Sequence, residues 1–164
     1  MTQKPDWLPA LISVDGIWEE VLSFLYEIFR NDFIEGKLYL GSLPVWWDSC
    51  VLPSEKYVEG FWHLISRDDK ITKERLFDPR RAERLPWCRP TIQNKDSHEV
   101  KVFDFKEAKG KIRTYLWLEQ WDYVVILEKR KQKVSTVAFL ITAFYVDGDK
   151  RRANLRGKYL KRIA

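Results

Sequence analysis

Three groups of side chains in this sequence have types and spacings that could do chemistry. His63 and Arg67 lie four residues apart in Phe-Trp-His-Leu-Ile-Ser-Arg, a spacing that puts both on one face of a strand or of a helix. Imidazole is the side chain best matched to proton transfer near neutral pH, and a neighbouring guanidinium suits developing negative charge. The plainer reading makes His63 a structural residue among aromatics. Arg80, Arg81 and Arg84 fall within the segment Arg75–Arg89. On a helix, Arg80 and Arg84 share a face and Arg81 sits about 100° away. Guanidinium forks grip phosphate bidentately and stay charged, although Glu74, Asp78 and Glu83 could hold them in surface ion pairs instead. In Lys111–Leu118, alternation puts Lys111, Arg113, Tyr115 and Trp117 on one strand face. Cations and aromatic rings on one sheet face can bind phosphates and stack bases together; alternatively the two rings pack under a helix.

Other chemistries find no support. Cys50 and Cys88 are isolated and only His63 and His98 accompany them, so neither a disulfide framework nor zinc-ligand spacing is indicated. A reducing cytoplasm is the compartment this suggests. No phosphate-loop or dinucleotide glycine pattern occurs. The expected chemistry uses neither metal nor cofactor.

These groups must be positioned by an ordinary frame. The spacing predicts a helix over 15–30, with Ile17, Val21, Phe24 and Ile28 on a stripe widened by Trp18, Leu22, Leu25 and Phe29. Residues 37–40 read as a short strand and 43–47 as a packed loop broken by Pro44. The segment 57–67 fits a strand or a short helix. Asp78 as N-cap, Pro79 at the first position and Pro86 as the stop predict a helix over 78–87. Residues 100–105, 111–119, 123–129 and 134–146 are rich in β-branched and aromatic residues and predict an antiparallel meander. A basic helix over 150–162 closes the chain.

The expected fold is α+β in a single domain, 1–164. It comprises a mainly helical and loop part over 1–56, a core over 57–146 with a twisted antiparallel sheet of four to five strands, and the basic helix within 147–164. A chain of 164 residues, 45% hydrophobic and 32% charged, has the composition of a folded domain. No apolar run is long enough to span a membrane, and residues 1–6 lack the pattern of a secretory signal. The net charge of +5 conceals a division. Residues 1–70 carry 6 Lys/Arg against 12 Asp/Glu, and residues 71–164 carry 23 against 12. Such asymmetry suggests a basic face, for which nucleic acid is the commonest large polyanion; the plainer reading is a solvated surface with a basic tail.

The C-terminal half resembles the barnase/EndoU/colicin/RelE-like superfamily of small ribonuclease toxins, which includes members from phages and other mobile elements. The resemblance covers roughly residues 57–146. It is carried by a helical N-terminal part, a four-stranded antiparallel sheet, and the strand Trp-Asp-Tyr-Val-Val-Ile-Leu (121–127). The final strand Phe-Leu-Ile-Thr-Ala-Phe-Tyr-Val (139–146) and the upstream His63–Arg67 segment add to it. It implies metal-independent RNA cleavage, with His63, Arg67, Thr142 and Tyr145 at the matching positions. The substrate's 2′-OH would attack the adjacent phosphorus. His63 would then serve as acid or base, and Arg67, Arg80, Arg84 and Arg113 would stabilise transition-state charge. Thr142 or Tyr145 would orient the phosphate or sugar, although alternation separates them unless a bulge intervenes. Tyr115 and Trp117 would stack the flanking bases, and Arg81, Lys111 and Lys158 would hold the backbone. RNA is the expected partner, with a neutralising protein if the chain is a toxin. The alternatives are a non-catalytic nucleic-acid-binding module, or a protein-interaction adaptor of mobile-element origin anchored by Trp46 and Trp47.

Overall fold

The first amphipathic segment forms helix α1 (Trp18–Phe29) in the computed structural model, which describes residues 3–164. The helix starts later than Asp15 because Gly16 has a φ of +130° and Ile17 is extended. Val21, Leu25 and Phe29, spaced by four, are its buried residues. Ile17, Trp18 and Phe24, expected on the apolar stripe, are instead 62%, 45% and 50% exposed. Past Phe29 the helix continues as a π-helical turn, Arg30–Glu35.

Strands β1 (Tyr39–Leu40) and β2 (Leu43–Trp46) form a hairpin where Pro44 argues for a loop. Helix α2 (Glu59–Ile65) follows and gives way directly to β3 (Ser66–Asp68), which pairs with β4 (Arg75–Phe77) in a separate two-stranded sheet. The 57–67 segment is therefore helix first and strand last. Gly60 lets α2 press against Trp47, since a Cβ there would stand 2.9 Å from the Trp47 side chain. Trp47 itself packs on Phe29 and Phe33 at 5.9 and 6.2 Å, so of the two tryptophans considered as surface anchors only Trp46 is exposed.

Asp78 caps α3 (Pro79–Glu83) by accepting from the Arg80 and Arg81 amides at 3.0 and 3.2 Å. Pro86 does not end the helical path. It sits early in a 3-10 turn, Leu85–Trp87, where a missing N–H costs little, and the chain continues into α4 (Cys88–Gln93).

The second half forms β5 (Lys101–Lys106), β6 (Ile112–Leu118), β7 (Tyr123–Lys131) and β8 (Thr136–Tyr145), followed by α5 (Asp149–Leu160). The four strands pair antiparallel in sequence order, as their composition predicts. The sheet nevertheless has six strands, in the order β1-β2-β8-β7-β6-β5, and is mixed. Val45 and Trp46 of β2 run parallel to Ala138 and Phe139 of β8, so Pro44 lies outside that ladder and its lack of a donor is tolerated. The fold class is α+β. Among the described residues no helix is long and apolar enough to cross a membrane.

One sheet face packs on α1, α2 and α4 through Leu116, Leu118, Val125, Leu140 and Ala143. The other face carries Phe103, Tyr115, Trp117, Val124 and Ile126 and is covered by α5 through Leu155 and Tyr159. Tyr115 and Trp117 are 2% and 1% exposed, with Phe103 stacked on Tyr115 at 5.0 Å. Both rings are core residues, and no base can reach them. Truncation Trp117→Ala is expected to cost about 3–5 kcal/mol of unfolding free energy, measured from urea melts; a loss below about 1 kcal/mol would contradict this placement.

Ion pairs fasten α5 to the sheet. Arg152 forks onto Asp122 at 2.8 and 2.9 Å, and Arg156 and Lys101 both donate to Glu119, at 3.0 and 2.6 Å. Much of the basic tail is thus consumed internally. The Lys101 hydrogen bond, with help from Arg156, holds the Glu119 carboxyl below the usual carboxylate range. A depressed folded-state pKa contributes stability that is present above the unfolded value and is lost as pH falls through the folded one. The acid destabilisation of Glu119→Gln, followed as urea midpoint against pH below about pH 4, should therefore be shallower than that of wild type. Identical slopes would remove Glu119 from the account.

Candidate phosphate-binding cleft

The N-cap that starts α3 also organises the floor of a cleft. Asp78 Oδ1 takes the two helix amides, and its Oδ2 faces Arg81 Nε at 3.4 Å and Arg67 Nε at 3.9 Å. One carboxylate thereby ties α3 to the start of β3. The cleft has a volume of about 460 Å³ and is lined by Arg67, Phe77, Asp78, Pro79, Arg80, Tyr145, Asp147 and Arg151. Three of the expected site residues, Arg67, Arg80 and Tyr145, meet there.

The three arginines of the α3 segment divide by depth. Arg80 reaches the cleft. Arg81 turns inward, where Nη1 donates to the Ser66 carbonyl at 2.8 Å, to Thr142 Oγ1 at 3.2 Å and to the His63 carbonyl at 3.3 Å. It is a structural clamp and not a surface contact for a nucleic-acid backbone. Arg84 is buried, donates to the Arg80 carbonyl at 3.0 Å and lies 4.2 Å from the Tyr145 ring centroid. Arg80 lies 5.1 Å from the same centroid, so two guanidiniums hold the Tyr145 ring by cation–π contact. Arg84 therefore positions Tyr145 and does not line the cleft, and burial keeps its ionisation below the ordinary value.

Arg151 joins the cleft from the first turn of α5. Counting basic residues in the tail flags it no more than its neighbours. What separates it is pairing. Of the thirteen arginines, only Arg67, Arg80 and Arg151 donate no guanidinium hydrogen bond among the described residues, and all three line this one cleft. Arg67 has the single long approach to Asp78, while Arg80 and Arg151 have no carboxylate partner among the described residues. Their field is felt at Arg81. Burial depresses the Arg81 ionisation most, Asp78 opposes this, and repulsion from Arg151 and Arg67 adds to it. Asp78 and Asp147 offset two of the three charges.

His63 is not brought into the cleft. Helix α2 ends at Ile65 and the chain turns extended, so His63 and Arg67 lose the shared face that a continuous helix or strand would give them. The His63 carbonyl, not its imidazole, is what the site uses: it accepts from Thr142 Oγ1 at 2.9 Å as well as from Arg81. Among the described residues the ring makes no hydrogen bond. Thr142 is accordingly part of the scaffold. The β7–β8 ladder does contain a bulge, with Ile126 opposite Thr142 and Leu127 opposite Leu140. It precedes Thr142, so Thr142 and Tyr145 remain on opposite faces.

The remaining expected residues lie elsewhere. Arg113 pairs with Glu128 at 3.3 Å, which Arg130 also holds at 2.8 Å; Lys111 is exposed just ahead of β6. Lys158 donates to Tyr115 Oη at 2.9 Å and pairs with Glu107 at 3.3 Å. His63, Lys111, Arg113 and Trp117 do not line the arginine cleft, and Tyr115 and Trp117 pack under α5, so the single groove expected to join all of them is not formed. No three His, Cys, Asp or Glu side chains gather as a metal site among the described residues. Comparisons with protein-family models, curated proteins and solved structures find no match to this chain.

Proposed function

We propose that this protein binds RNA by its phosphate backbone, gripping it in the cleft of Arg67, Arg80 and Arg151. The observation that carries this reading is that the three arginines whose guanidiniums donate no hydrogen bond among the described residues converge on one concave surface. The three guanidiniums outnumber the two carboxylates of the cleft and keep their donors free for an anion, and planar guanidiniums match phosphate oxygens in pairs. Tyr145, clamped between Arg80 and Arg84, adds a rigid aromatic wall against which a base or sugar can rest. In anisotropy titrations, a labelled single-stranded RNA should bind with log affinity falling linearly against log salt. For three phosphates held the slope is about −2, at roughly −0.7 per phosphate on a single strand. Absent binding, or binding indifferent to salt, would sink the proposal and favour a protein-interaction surface at Trp46.

A second reading keeps RNA cleavage, because Tyr145, Asp78 and Asp147, all groups able to exchange protons, line the same cleft as the arginines. It would make the chain a metal-independent, toxin-like endoribonuclease of the barnase–colicin–RelE type, forming a cyclic phosphate, with a neutralising protein partner. Cleavage in excess EDTA that is lost in Tyr145→Phe and retained in His63→Ala would support this version. Loss in His63→Ala alone would restore the acid–base role expected from the resemblance. A reducing cytoplasm suits both readings, as the two cysteines, exposed Cys50 and buried Cys88, are free.

A further inference from the structure

The arginine cleft does not stand alone. A second cleft of about 240 Å³ is lined by Lys70, Tyr115, Ile126, Phe144, Arg151, Asn154, Leu155 and Lys158, and it shares Arg151 with the first. We propose that the two clefts are lobes of one groove that takes a single-stranded nucleic acid over at least two successive phosphates. This deepens the phosphate-binding reading and rests on it.

Two elements run along both lobes. The β3–β4 hairpin contributes Arg67 to the first and, three residues on, Lys70 to the second. Helix α5 contributes Arg151, Asn154, Leu155 and Lys158, which at i, i+3, i+4 and i+7 form one helical face. Arg151 and Lys158 are thereby set about 10 Å apart along the axis, at 1.5 Å per residue. Lys70, like Arg151, has no ion pair with a carboxylate among the described residues, so cations without a direct partner extend into the second lobe. Lys158 is held in place by Tyr115 and Glu107.

The end of β8 separates the lobes. Phe144 lines the second and Tyr145 the first, as consecutive strand residues point to opposite faces. A chain following both lobes must therefore turn round β8 within two residues. Duplexes are stiff over about 150 base pairs and cannot follow that path; a single strand can, with Phe144 and Tyr145 each offering a ring to a base.

The test compares oligouridylates of two and about eight nucleotides, and an eight-base-pair RNA duplex, by competition anisotropy on the full chain. The octamer should bind at least about tenfold more tightly than the dinucleotide, and the duplex more weakly than the octamer. Lys70→Glu, at an exposed loop position, should weaken the octamer about tenfold and leave the dinucleotide within about twofold. Asn154→Asp, on the exposed face of α5, should act in the same direction. Equal weakening for both lengths, no weakening in either variant, or a duplex bound as tightly as the octamer would overturn the two-lobe groove while leaving the first cleft intact. Failure of wild type to bind an oligonucleotide of any length would overturn both.

Discussion

Replacing Arg67, Arg80 and Arg151 together with alanine should lower the affinity for single-stranded RNA about 100-fold near 0.1 M salt, at roughly 1 kcal/mol for each phosphate no longer held. The salt slope should fall in magnitude by about 2 at the same time, at roughly 0.7 per phosphate, because each phosphate set free keeps its own counterions. The fold should be nearly untouched. Among the described residues none of the three guanidiniums donates a hydrogen bond, and their one carboxylate pairing, Arg67 to Asp78, is 3.9 Å long and half-exposed, worth well under about 1 kcal/mol. Lysine in place of all three separates charge from geometry. If fork-shaped recognition matters, the triple lysine variant keeps most of the salt slope and forfeits part of the affinity. A triple alanine variant that binds as wild type does would eliminate this cleft as the site.

Arg81→Met should have the opposite profile, a large loss of stability of about 3 kcal/mol. The methionine fills most of the space but cannot replace three hydrogen bonds to Ser66, Thr142 and His63, nor the charge beside Asp78. Removing one member of a largely buried, hydrogen-bonded charge pair strands its partners, and such changes cost about 3–5 kcal/mol. The partial exposure of Asp78 argues for the lower end. The expected reading is a urea midpoint shifted down with an unchanged m value. Arg81→Lys should fall between wild type and Arg81→Met, since an ammonium can reach one carbonyl but not span α2, β3 and β8. A loss below about 1 kcal/mol would mean the clamp is dispensable.

Much of the fold can be read from local pattern because most elements are locally consistent. The strands of the meander alternate, and Asp78-Pro79 starts a helix by the geometry of its own backbone. Strand β2 is hidden for a physical reason: its partner β8 lies some ninety residues away, and Pro44 is excused only by that non-local register. Helix α4 is hidden because Pro86 reads as a stop unless the 3-10 turn around it is known. The site is legible to the same depth. Sharing of a face by Tyr115 and Trp117 follows from alternation, but alternation is silent on which face a later helix will cover. Three arginines near residue 80 announce a basic helix, yet their division into one pointing out and two pointing in depends on the packing of β8. Arg151 lines the cleft while Arg152, beside it, forks onto Asp122. Pairing, not residue type, distinguishes the cleft arginines, and pairing is a tertiary property.

The β3–β4 hairpin belongs to neither side of the six-stranded sheet, and this has a dynamic consequence. Residues 114–117 of β6 and 123–127 of β7 are paired on both sides within a buried ladder, so their amide hydrogens should exchange only through the most costly openings. Those of Ser66–Asp68 and Arg75–Phe77 have one partner strand and can open locally at far smaller cost. One wall of the cleft is therefore soft and the wall built by β8 is stiff. A strand of RNA seated between them would be recorded as slowed exchange confined to the hairpin, so the protein carries its own reporter of occupancy in the backbone of that arm.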